Sequence, residues 1–129
     1  EQALHEAVNE VRRSEGLAPL QLQADLSRLA RDYSRRMQQE DFFDHSDPQG
    51  RDPADRLLAA GFDYRHAGEN IAYNYNVTDP PDTALQSWLA SPGHRANILN
   101  ANFTQTGIGI WRAGAHFYFT QVFFTPRQP

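Results

Sequence analysis

The sequence predicts an α+β fold in which helices cover a small antiparallel sheet. Three observations lead there. Apolar residues recur at three- and four-residue steps through the first part of the chain, the spacing of one helix face. The period then changes: Gly107-Ile108-Gly109-Ile110-Trp111 alternates, and Phe117 to Phe124 is nearly continuously apolar and aromatic. Between these regions, Pro residues directly preceded by Asp or Ser mark helix starts. Helices first and strands last is α+β layering, and 129 residues make one domain spanning 1–129.

Each element has its own local signal. Gln2 to Glu15 places Leu4, Val8 and Val11 on one face and is stopped by Gly16. A second helix runs from about Asp25 to Glu40, with Leu26, Leu29, Ala30, Tyr33 and Met37 as its core stripe. Asp41 to Arg51, with its Asp-Pro and Gln-Gly turn signals, is a loop. Asp52-Pro53 caps a short third helix that carries Leu57 and Leu58 and ends at Gly61. Gly68 to Tyr75 reads as a short strand entering a loop. Asp79-Pro80-Pro81 opens a fourth helix through Leu85, Trp88 and Leu89, and Ser91-Pro92 a fifth through Ile98 and Leu99. Ala113-Gly114 turns the chain between the last two strands, and the near-continuous apolar run of the final one predicts burial on both faces.

Composition excludes several classes. A net charge of −4 disfavours nucleic acid as a partner. No apolar run approaches the roughly 20 residues of a transmembrane segment. Cysteine is absent, which removes disulfides, thiolate metal sites and a cysteine nucleophile. The chain opens directly on a helical pattern without a signal peptide, as expected of a mature, processed form.

Among the five histidines, His5, His66 and His116 read as solvated. His45, His94 and Glu69 sit at junctions between elements, where sites are usually built. Read by themselves they are satisfied histidines and a capping carboxylate; by residue type they are also the two-histidine, one-carboxylate ligand set of an open zinc site. His94 falls at the third position of the fifth helix, where the positive helix end disfavours imidazolium, so it is expected to be neutral at pH 7. A Ser-His-Asp reading of His45-Ser46-Asp47 lacks geometry, and Asp41, Asp44 and Asp47 lack the glycine and terminal Glu of a calcium loop.

Several runs in order resemble the CAP superfamily, the SCP-like extracellular domain of cysteine-rich secretory, pathogenesis-related and venom allergen proteins. They are Gly68-Glu69-Asn70-Ile71-Ala72, Trp88, Ser91-Pro92-Gly93-His94-Arg95-Ala96-Asn97-Ile98-Leu99, Phe103 with Gly107-Ile108-Gly109, and Tyr118-Phe119-Thr120-Gln121-Val122-Phe123. His45-Ser46-Asp47 before Gly50 and Arg56, together with the absence of cysteine, resembles its bacterial branch. The resemblance implies an α-β-α sandwich and a cleft where His45, Glu69 and His94 meet. Ser91 stands where eukaryotic members carry a second acid. It implies a divalent metal such as zinc on His45, His94 and Glu69, with Ser46, Asn70 and Ser91 lining the cleft. It further implies an extracellular or cell-envelope location and a lipid, sterol or cell-wall ligand. Tyr73, Tyr75, Trp88 and Trp111 are either groove-lining or core residues. The competing reading is a metal-dependent hydrolase of peptides or cell-wall polymers, with zinc on His45 and His94 and Glu69 as third ligand or general base.

Overall fold

The structure, a computed structural model, describes residues 1–127. Helices α1 (Gln2–Ser14), α2 (Ala24–Gln39), α3 (Pro53–Ala59), α4 (Pro80–Ala90) and α5 (Pro92–Ile98) surround strands β1 (Gln21–Leu22), β2 (Tyr64–Tyr75), β3 (Gln105–Ala113) and β4 (His116–Pro126). The sheet order is β1-β3-β4-β2, so β2 is an edge strand.

The helix starts follow the local chemistry. Asp52 accepts the Asp55 amide while the Asp55 side chain accepts the Asp52 amide, a reciprocal cap that fixes the entry of α3. Asp79 likewise accepts the Asp82 amide at α4. Gly16 and Gly61, each just past a helix, have positive φ of 76° and 89°, where a side chain would be strained.

Strand periodicity sorts the side chains into two layers. On one face, Ala72, Ile108, Phe119 and Phe123 pack with Leu4 and Val8 of α1, Leu85 and Trp88 of α4, and Ile98 of α5. On the other, Val122 and Phe124 pack with Leu26 and Ala30 of α2 and Leu57 of α3, while Ile71 meets Tyr33 and Met37. β4 is therefore buried on both sides, as its apolar run predicts, and the α-β-α sandwich is formed.

The α2 layer lies directly on β3 because Gly107 and Gly109 have no side chains. A Cβ on Gly109 would lie 1.9 Å from the Arg31 nitrogen, and one on Gly107 would lie 2.2 Å from the Leu26 carbonyl carbon. The gap is used for polar ties: the Ser34 hydroxyl donates to the Gly109 carbonyl at 2.9 Å, and the Ile108 amide donates to the Ser27 hydroxyl at 3.1 Å.

The structure corrects the sequence reading in four places. β2 starts at Tyr64 rather than Gly68, because β4 pairs with it from Pro126 down to His116. The solvated His66 is thereby a half-buried strand residue opposite Thr125. β1, two residues paired parallel to β3, has no pattern of its own. His5 is half-buried, with Nε2 2.9 Å from the Leu20 carbonyl.

Gly109→Ala is expected to cost at least about 3 kcal/mol in urea unfolding, because backbone of α2 rather than a movable side chain stands in the way. Gly93→Ala, whose added carbon meets nothing within 4 Å, is the control and should leave stability unchanged or slightly higher.

Candidate functional site

The two layers meet over the edge of β2. His45 arrives from the α2–α3 connection on one side, His94 from the first turn of α5 on the other, and Glu69 lies on β2 between them. A cross-edge arrangement of this kind leaves no short motif in the sequence.

The connection that carries His45 is shaped by Asp47. Its side chain is fully buried and accepts the Gln49 and Arg51 amides on one oxygen and the Arg36 and Arg51 guanidiniums, each at 3.1 Å, on the other. Burial opposes the charge, but the Arg51 amide and the Arg36 and Arg51 side chains outweigh it and hold the carboxyl at about 2. Tyr33 adds a second tether, its hydroxyl donating to the Asp44 carbonyl at 2.5 Å.

Glu69 is the centre of the site. Its side chain is only 1% exposed. One oxygen accepts the His45 Nδ1–H at 2.9 Å and Arg56 Nη2 at 3.3 Å; the other accepts Arg56 Nη1 at 2.9 Å. Arg56 also donates from Nη2 to the His45 carbonyl at 2.7 Å, and its guanidinium lies 3.4 Å from the centre of the Tyr33 ring. Arg56 comes from α3, Tyr33 from α2 and Glu69 from β2, so one ion pair joins three elements.

His94 is held differently. Its Nδ1 lies 2.8 Å from the Ser91 hydroxyl, which is why Ser91, the residue before α5, makes no side-chain bond to the helix backbone. Asn70 donates to the His94 carbonyl, and Asn97 donates to the Asn70 side chain and to the Glu69 carbonyl, so α5 is laced to β2. Trp88 reaches the same strand edge, donating from its indole to the Ile71 carbonyl at 2.9 Å.

The two imidazoles are biased in opposite directions. The bond to Glu69 outweighs partial burial and raises the His45 pKa. Burial first, and the neighbouring His45 second, lower that of His94. The neutral His94 expected from its helix position thus has that direction, with desolvation as its main cause. Neither Nε2 has a hydrogen-bond partner among the described residues.

Of the expected site residues, Glu69 and His45 touch, and His94 stands within electrostatic reach of His45. Among the described residues, no group of three or more His, Cys, Asp or Glu side chains is disposed to hold a metal ion. Asn70 is fully buried and braces His94 from behind; Ser46 is exposed on the connection. Trp88 is core at 1% exposure, and the Trp111 indole donates to Gln38. Tyr73 and Tyr75 are exposed further along β2, layered with His116. Sequence reasoning gave no role to Arg56 or Asn97. Arg56 carried only its place in the bacterial pattern, with nothing to show that it is buried.

The sequence model of the cysteine-rich secretory protein family, CAP, matches residues 5–123. This chain is a CAP domain. It is 39% identical over 115 residues to the Bacillus subtilis protein YkwD, covering 89% of this chain and 44% of YkwD. A solved structure described as an extracellular protein containing an SCP domain, from Bacillus anthracis, is 32% identical with a TM-score of 0.84, over 95% of this chain and 39% of that one. An outer surface protein of Borrelia burgdorferi shares the fold at a TM-score of 0.88 and 18% identity, over 98% of this chain and 92% of its own. This CAP domain thus spans less than half the length of its Bacillus relatives. Among the described residues no helix is long and apolar enough to cross a membrane.

Two measurements check the electrostatics. In an NMR titration, His45 is expected to titrate above the ordinary imidazole value of about 6.5 and His94 below it; the reverse order would contradict the geometry. The stability that the His45–Glu69 bond contributes is fully present below that ordinary value and is lost as pH rises through the raised one, so Glu69→Gln should flatten the neutral-range dependence of Tm. Asp47 has the opposite sign. Its contribution is present above the ordinary carboxylate value of about 3.9 and disappears as pH falls through about 2, so Asp47→Asn should lower Tm at neutral pH and remove most of this acid-side slope.

Proposed function

We propose that this CAP domain is a binding module acting outside the cytoplasm, whose cleft holds one divalent metal ion between Nε2 of His45 and Nε2 of His94. The observation that carries the reading is the state of the Nδ1 atoms. Each is engaged by a protein partner, Glu69 for His45 and Ser91 for His94, and each ring is left with its second nitrogen unused. That is the pattern by which outer carboxylates and hydroxyls orient metal-binding imidazoles. Neutral imidazole nitrogens suit zinc among the common divalent ions.

On this reading Glu69 orients and does not coordinate, since both oxygens are already in use inside the protein. The metal would supply open coordination positions for an oxygen of the ligand, for which we propose an envelope lipid, sterol or cell-wall fragment. Binding is preferred to hydrolysis because a general base must reach a water, and Glu69 is enclosed. The extracellular description of the Bacillus anthracis relative supports the location.

Calorimetric titration with zinc tests the metal. Wild type should bind one ion, His45→Ala and His94→Ala should each lose at least about a hundredfold in affinity, and Glu69→Gln about 10- to 100-fold. Equal binding by wild type and the two alanine variants would dismiss the site.

A further inference from the structure

We infer that Arg56 is the positioning residue of the cleft: fixed on the Tyr33 ring, its guanidinium holds the Glu69 carboxylate and the His45 main chain together and so aims the His45 imidazole. Arg56 is 8% exposed, and it touches the imidazole only through these two groups.

The orientation of the fork shows what it serves. Nη1 and Nη2 span both oxygens of Glu69, and Nη2 reaches the His45 carbonyl, while Nε–H is buried without any partner among the described residues. A buried unpaired donor costs about 1–3 kcal/mol. A side chain placed only to satisfy itself would turn Nε toward an acceptor; this one leaves Nε orphaned and keeps the two-point grip on Glu69. The Glu69 oxygen shared with Arg56 is the one that receives the His45 Nδ1–H, so the guanidinium fixes where that proton points. A proton fixed on Nδ1 leaves the lone pair of the neutral ring on Nε2, toward the cleft.

Tyr33 completes the device from the other side. Its ring supports the guanidinium and its hydroxyl holds the Asp44 carbonyl, one residue before His45. Main chain and imidazole of His45 are thus set from a single stack of three side chains. Lysine does not replace the arginine here, since an ammonium offers no planar fork for two carboxylate oxygens and no flat face for the ring.

The consequence for metal affinity rests on the reading proposed above, so the test has one readout that does not. Arg56→Lys and Arg56→Met are compared with wild type by thermal melting, by the hydrogen-bonded His45 ring N–H resonance in metal-free protein, and by zinc titration. The expected result is a folded Arg56→Lys in which the ring N–H resonance is lost to solvent exchange and zinc binds about 10- to 100-fold more weakly, while His94→Ala keeps the resonance. A retained resonance in folded Arg56→Lys overturns the proposal whatever the zinc result. If wild type takes up no zinc, the metal reading fails and the resonance alone decides the role of Arg56. Should both Arg56 variants unfold, Tyr33→Leu removes the supporting ring and leaves every Arg56 donor in place; a weakened resonance supports the proposal, and an unchanged one overturns it.

Discussion

The ion pair between Arg56 and Glu69 adds one polar constraint where α3, β2 and the Tyr33 ring of α2 already meet through apolar contacts. Two buried charges lose hydration that their attraction only partly offsets, so such a pair is a poor source of net stability, whereas removing one partner leaves the other stranded at a cost of about 3–5 kcal/mol. Its effect is to specify. Glu69 has one arrangement in which both oxygens are satisfied, and that arrangement requires α3, the α2 ring of Tyr33 and the connection carrying His45 all to be in place. The apolar contacts of Leu26, Ala30 and Leu57 hold the α2–α3 layer on the sheet, and the ion pair sets how the cleft is arranged upon it.

The sheet makes this possible by what it leaves out. Side chains absent at Gly107 and Gly109 let α2 settle onto β3, which brings Tyr33 to the height of β2. Gly68 acts similarly on the opposite face, where an added carbon would lie 2.8 Å from the Phe103 ring. The edge position of β2 then lets two helical layers contribute to one cleft, because nothing beyond that strand separates them.

What was legible in the sequence was local. Asp52-Pro53 and Asp79-Pro80 announce helices because a cap and a fixed φ act within a few residues, and Ser91-Pro92 does so by the proline's fixed φ alone. The two-sided burial of β4 was legible from its own apolar run. The start of β2 was not, since Arg65-His66 interrupts any apolar run there and the segment becomes a strand only against β4. Nor was the company of Glu69: that His45 lies near it was implied by family resemblance, and no spacing indicates it. Arg56 sits on a short helix whose period is too brief to separate a buried arginine from a solvated one, and its burial depends on partners 13 and 23 positions away.

One detail of the edge strand reaches beyond the cleft. The outward carbonyls of Glu69 and Ile71 are taken by the side chains of Asn97 and Trp88. An unpaired strand edge is a template on which another chain can add a strand. With these two carbonyls already occupied from within, the middle of β2 offers no continuous row for that addition, which disfavours strand-by-strand association of crowded copies there.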